Sequence, residues 1–192
     1  MKKHIVIIGP SGSGKTTLQR ALVDFGWKAA VQYTTRPMRP SETDGFPYHF
    51  SDDREFDQLV DDGWLSLVRE YRVWNGQTWR YGFPISDLRA NDQTVSVLDP
   101  SGYLELKDMI DDVYGVYMDI PEDVIRYRLL ARGDKPEEID RRIKADFGDF
   151  AYIRHNFSNV CDLRINTVRK PSQDAERIIN YINAAERSAK KS

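Results

Sequence analysis

A chain of 192 residues, 40% of them apolar, has the material for one domain with a sizeable core, which excludes both a disulfide-stapled miniprotein and a disordered tail. Its 28 Lys and Arg stand against 30 Asp and Glu for a net charge of -2, so bulk electrostatics predict neither nucleic acid nor a membrane surface as a partner. The single cysteine, Cys161, excludes an internal disulfide, and the longest apolar run, Ile5 to Ile8, falls far short of the roughly 20 residues of a membrane span; the expectation is a soluble cytoplasmic protein.

In chain order, Ile5 to Ile8 reads as a strand ending at Gly9, and Leu18, Ala21, Leu22 and Phe25 then recur at the period of an amphipathic helix. Short apolar strands follow at Ala29 to Tyr33, Thr94 to Leu98, Val113 to Ile120 and Asp162 to Asn166. A helix opens at Pro121, with Glu122 and Asp123 in its first turn and Gly133 as its stop, and a last helix opens at Pro171-Ser172; the Lys190-Lys191-Ser192 end is expected to fray. Strands separated by helices predict an α/β fold, a five-stranded parallel sheet covered on both faces. Two segments break the alternation and read as insertions at strand ends: an aromatic-rich lobe over 35–90, and a polar turn with a charged helical stretch over 134–157. The core is then expected over 1–34, 91–133 and 158–192.

The sharpest signal is Gly9-Pro10-Ser11-Gly12-Ser13-Gly14-Lys15-Thr16, which fits G-x-x-x-x-G-K-[ST] between a predicted strand and a predicted helix. Glycines let successive backbone N–H groups of Ser11, Gly12, Ser13 and Gly14 turn toward one anion, and the helix N-terminus through Thr16 and Thr17 adds its dipole. Lys15 then reaches the outer phosphates of ATP and the Thr16 hydroxyl ligates Mg2+, so this is a P-loop kinase pattern. Asp99, after Val95-Ser96-Val97-Leu98, is the acidic candidate for sharing that metal; the alternative for a strand-end Asp before Pro100 is a helix or turn cap.

Tyr33-Thr34-Thr35-Arg36-Pro37-Met38-Arg39, followed by Asp44-Gly45-Phe46-Pro47-Tyr48-His49-Phe50, resembles the T-T-R-x-x-R and D-G-x-x-Y-x-F motifs of the guanylate kinases. The resemblance continues through Tyr81-Gly82, Leu98-Asp99, Arg128 to Gly133, Glu137-Glu138 with Arg142, and Ile165-Asn166, covering nearly the whole chain. It implies a nucleoside monophosphate kinase that moves the γ-phosphoryl of MgATP to GMP or dGMP as a monomer or homodimer. By position, Arg36, Arg39, Tyr48 and Tyr81 would hold the acceptor phosphate. Arg128, Arg132 and Arg142 would join Lys15 and Arg36 in neutralising charge during transfer, and Asn166 would lie near the adenine. Arg141 and Arg142 also suit a solvated helix face, and Asn166 also suits a strand end.

Four positions depart from the family's guanine-reading set: Gln32, Ser66, Phe83 and Ser101. Loss of carboxylates there removes charge-assisted bonds worth about 1.5–3 kcal/mol each, enough to move specificity by orders of magnitude. Glu70, in the stretch from Ser66 to Tyr81, is the candidate replacement acid, with Asp99 and Ser101 nearby. Tyr71, Trp74 and Trp79 either stack on a base or pack the lobe. Two other readings stand beside GMP: the same fold with another or modified nucleotide or a phosphorylated sugar as acceptor, and a non-catalytic binding module, against which the intact Lys15 and Thr16 argue.

Overall fold

The structure, a computed structural model, describes residues 3–40, 42–73, 75–166 and 169–189. Four consecutive apolar residues cannot alternate between core and water, so Ile5, Val6, Ile7 and Ile8 demand a strand covered on both faces, and all four have no exposed surface. They lie in β1 (Lys3–Ile8), followed by α1 (Lys15–Asp24) and the short β2 (Lys28–Ala29). Next come β3 (Gln32–Thr34), β4 (Tyr48–Phe50), α2 (Asp53–Asp61), β5 (Ser66–Arg72), β6 (Thr78–Phe83) and α3 (Ile85–Ala90). The chain then alternates β7 (Gln93–Val97), α4 (Pro100–Met109), β8 (Val113–Met118) and α5 (Glu122–Ala131). It continues through α6 (Pro136–Asp149), α7 (Ala151–His155) and α8 (Phe157–Val160) to β9 (Leu163–Ile165) and α9 (Pro171–Ala189).

Five strands pair in the order β2-β7-β1-β8-β9, every pairing parallel, as the alternation of strand and helix predicts. On one face Ile5 and Ile7 meet Leu18 and Leu22 of α1 and Ile178 and Ile182 of α9; on the other Val6 and Ile8 meet Tyr103 and Leu106 of α4. Each such side chain contributes about 1.5–3 kcal/mol by burial, so β1 anchors the loop that follows it to the most stable part of the molecule. Gly115 lets β8 pass under Tyr103: a Cβ there would stand 2.2 Å from the tyrosine hydroxyl oxygen. No helix among the described residues is long and apolar enough to cross a membrane.

The strand expected across Ala29 to Tyr33 is split. Lys28 and Ala29 pair with β7, the Ala30 N–H still reaches the Val95 carbonyl at 3.0 Å, and then the chain leaves the edge to begin β3 in a second sheet. That sheet, ordered β4-β3-β6-β5, mixes a parallel β3–β4 pair with antiparallel β3–β6 and β5–β6 pairs. The segment 35–90 therefore carries strands that its sequence hides. In β5 the alternation is broken by a bulge between Ser66 and Arg69, where Leu67 adopts a left-handed φ of 51°. Trp74 and the 190–192 end, two subjects of the sequence expectations, lie outside the described residues.

Candidate active site

The glycine loop joins β1 to α1. Gly14 caps α1 at φ 101° with no side-chain cap, so the first N–H groups of the helix are left for an outside acceptor. Gly12, at φ 76°, sits where a side chain would press on Leu129 at 3.0 Å. Lys15 folds back along the loop, its Nζ donating to the Gly9 and Pro10 carbonyls at 2.7 and 2.8 Å. Burial lowers its pKa to about 8, opposed by Asp146 and assisted by Arg132 and Arg142. The Ser11 N–H donates to Asp146 Oδ2 at 2.7 Å, so a carboxylate from α6 stands in the loop's anion position. Burial raises the Asp146 carboxyl, although this bond and Lys15 pull the other way.

A second anion site faces the first across one cavity of about 710 Å3. Arg36, 3% exposed, holds both oxygens of Glu42 at 2.9 Å, and the Arg39 N–H donates to Glu42 at 2.9 Å. The Arg36 guanidinium lies over the rings of Tyr48 and Phe50 at 5.4 and 5.3 Å. Burial raises the Tyr48 hydroxyl and, with Arg36 nearby, lowers Arg39. The structure thus brings Arg36, Arg39, Tyr48 and Tyr81 to one wall, as the motif spacing requires. Glu42, which completes this cluster, was legible as an acid three residues past Arg39, yet only the fold shows that it closes the fork.

Glu70 is not at this wall, contrary to expectation. On β5 it pairs across to Arg80, with Oε1 3.6 Å from Arg80 Nε, on the face that Arg80 shares with Asp57 and Phe56 of α2. The bulge sets the reason: Arg69 and Tyr71 fall opposite Tyr81 and Trp79, and these four side chains line the cavity. Ser66 and Phe83 do not line it either, Phe83 being fully buried in the core, whereas Gln32 does. Asp99 caps α4, its Oδ1 accepting from Gly102 N at 2.6 Å and Ser101 Oγ at 2.9 Å, while its Oδ2 accepts the Tyr71 hydroxyl. Ser101 acts beside the cavity, through Asp99 and a 3.4 Å contact with Arg69 Nε.

The lid arginines converge on the loop. Arg128 donates to the Ser13 carbonyl at 2.9 Å, Arg132 is held by Asp134, and Arg142 is held by Glu138 at 2.6 Å and Asp134 at 3.3 Å. Although burial pushes both carboxyls up, Arg132 and Arg142 hold Asp134 below its ordinary pKa, and Arg141 and Arg142 do the same for Glu138. Arg128, Arg132, Arg141 and Arg142 all line the cavity, so Arg142 is not on a merely solvated face. Asn166 is the exception: it is exposed, one residue past β9, outside the lining, because Ile165 takes the buried side of the strand end.

Thr16 and Asp99 both line the cavity and offer hard oxygen donors, the kind Mg2+ takes. No cluster of three His, Cys, Asp or Glu that would cage a metal occurs among the described residues. That donor set fits an ion held mainly by phosphate and water, with one or two protein oxygens.

A parallel sheet whose first strand runs through a glycine loop into a helix, with Lys15 and Thr16 at its mouth, defines a P-loop phosphotransferase. A family profile described as guanylate kinase matches residues 1–65. Guanylate kinase of Thermobifida fusca is 33% identical over 189 residues, spanning 89% of this chain and 93% of that one. Guanylate kinase of Streptococcus agalactiae is 32% identical over 190 residues, covering 94% and 85%. Among solved structures, guanylate kinase from Anaplasma phagocytophilum superposes with a TM-score of 0.70 at 23% identity, over 96% of this chain and 86% of that one. The chain belongs to the guanylate kinase family.

Proposed function

We propose that this enzyme transfers the γ-phosphoryl of ATP to the phosphate of GMP or dGMP. The observation that carries the reading is two anion sites facing each other across one cavity, each closed on a carboxylate of the chain itself: Asp146 at the Ser11 N–H and Glu42 in the Arg36 fork. A carboxylate held this way has the charge and acceptor geometry of a phosphate edge. The loop amides, Lys15 and Thr17 bind the donor phosphates, and Arg36, Arg39, Tyr48 and Tyr81 orient the acceptor phosphate. Arg128, Arg132 and Arg142, carried on α5 and α6, neutralise charge between them and exclude water when the lid region closes. Thr16 and Asp99 would hold Mg2+, which supplies further charge neutralisation when bound. The acceptor phosphate is itself the nucleophile, so no Ser-His pair is needed. Cys161, buried and unpaired, suits a reducing cytoplasm.

The test is ADP release with MgATP and each of GMP, dGMP, AMP, dTMP and dCMP, and with phosphorylated sugars. Turnover of GMP or dGMP is expected. Turnover confined to another acceptor would refute the reading.

A further inference from the structure

Asp99 stands between the glycine loop and the acceptor wall. It follows β7, which pairs with β1, and the Leu98 N–H donates to the Ile7 carbonyl at 3.2 Å, so the carboxylate lies beside the loop that β1 feeds. From the other side comes Tyr71 of β5, 38% exposed, whose hydroxyl donates to Asp99 Oδ2. The Tyr71 ring is fixed by the wall itself: it packs edge-on against Tyr81 at 5.6 Å, and Tyr81 packs edge-on against Tyr48 at 5.7 Å. One side chain therefore joins the wall of Arg36, Tyr48 and Tyr81 to the acid assigned to the metal.

A carboxylate has about four lone-pair sites, shared equally by its two oxygens. Oδ1 of Asp99 accepts from the Gly102 N–H at 2.6 Å and the Ser101 hydroxyl at 2.9 Å, which fills it. Ser101 Oγ in turn accepts from Arg69 Nε at 3.4 Å, and Arg69 is held by Glu105, so the Ser101 proton is committed to Asp99. With Tyr71 on Oδ2, a single site remains, on the oxygen that Tyr71 orients. Arg69 Nε stands 3.9 Å from Oδ2, beyond a hydrogen bond. Asp149 of α6 lines the same cavity and its charge reaches both Asp99 and Tyr71, yet no side-chain donor among the described residues orients it. Burial, with Asp99 and Asp149 adding to it, raises the Tyr71 pKa, so the hydroxyl remains a donor.

Resting on the assignment of Asp99 to Mg2+ above, we propose that Tyr71 is a positioning residue for the metal acid: its hydroxyl locks Asp99 and leaves a single lone pair of Oδ2 for the ion of MgATP. Removing a donor that orients a metal ligand costs about 10–100-fold in metal affinity. Mg2+ tolerates little distortion of its octahedron, which makes a locked, monodentate Asp99 a better partner than the unoriented Asp149. Tyr71, offered by the sequence to a base or to packing of the lobe, thereby serves the donor side.

The probe is Mn2+, which takes the same oxygen ligands, and its affinity for the ADP complex is read from the electron paramagnetic resonance signal of the free ion. Tyr71→Phe removes the hydroxyl and keeps the ring, so the dissociation constant for Mn2+ should rise at least about tenfold, while ADP affinity in EDTA and the KM for GMP hold. Asp99→Asn keeps a helix cap and should weaken Mn2+ likewise; adding Tyr71→Phe to it should change Mn2+ affinity by less than about twofold. A rise under about tenfold in Tyr71→Phe overturns the inference, as does an equal loss of ADP affinity in EDTA, the mark of a merely structural tyrosine. Additive losses in the double variant overturn it, since Tyr71 then acts elsewhere than through Asp99. Loss of Mn2+ affinity in Asp149→Asn with none in Asp99→Asn overturns it together with the metal assignment and moves the ion to α6. GMP phosphorylation, scored by ADP release in the wild type, stands or falls independently of these outcomes.

Discussion

Arg36 joins binding to stability, and its removal separates the two. Arg36 is 3% exposed and its partner Glu42 has a side chain 12% exposed, with both carboxylate oxygens at 2.9 Å from the guanidinium. Arg36→Ala leaves a nearly buried carboxylate with only Arg39, through its N–H at 2.9 Å and its side chain at 3.5 Å, a loss of about 3–5 kcal/mol. At about 2–4 °C per kcal/mol for a chain of this size, the melting temperature should fall by roughly 6–20 °C. Arg39, 31% exposed and 3.5 Å from Glu42 through its side chain, is expected to contribute under about 1 kcal/mol in the same assay. Arg39→Ala should therefore raise the acceptor KM with little change in melting or in the KM for ATP. The double variant Arg36→Ala/Glu42→Gln removes the stranded charge and should recover part of the loss. Thermal melts of the wild type and three variants, with acceptor titrations at saturating MgATP, supply the comparison. An Arg36→Ala protein melting within about 2 °C of wild type, or a double variant no better than the single, would refute the reasoning.

Lys15→Met should lower turnover at least about 100-fold. Because burial holds Lys15 near pKa 8 against 10.5 unfolded, the unfolded chain binds more protons between those values, and wild-type stability should rise there relative to the variant. The effect is at most about 3 kcal/mol, tempered by the water that reaches this half-buried side chain, and melts from pH 7 to 10 measure it. Gly115→Ala, whose Cβ would meet the buried Tyr103 at 2.2 Å, should cost about 1–3 kcal/mol or more, read as a lower urea midpoint. Cys161, whose thiol burial pushes up to about 12, should resist a thiol reagent at pH 8 in the native protein and react promptly in urea.

The parallel sheet and the glycine loop were legible because local signals determine them: a doubly apolar strand, a helical period and a motif joining the two. The arginine wall was legible for the same reason, since Arg36, Arg39 and Tyr48 lie close in sequence. The facing of β5 was not: it is set by a bulge at Leu67, which local composition does not announce, and one residue of slip exchanges Glu70 for Arg69 at the cavity wall. The Ser11–Asp146 bond joins residues 135 apart and has no sequence signature at all. Asn166 lies outside the cavity lining, which its sequence position did not announce, because a strand end says nothing about which side it faces.

Glu42 and Asp146 act as resident counter-ions. A cavity lined by so many cations would repel itself if nothing screened it, and these two side chains keep the resting protein from straining against its own charge. Each incoming phosphate therefore enters by exchange: a carboxylate leaves its donors and the ligand takes them over. The gain on binding is a difference between two anions, which keeps nucleotide affinity modest and its salt dependence shallow. The displaced groups also sit on different elements, Glu42 in the segment before β4 and Asp146 on α6, so each exchange releases a bond to a different part of the chain.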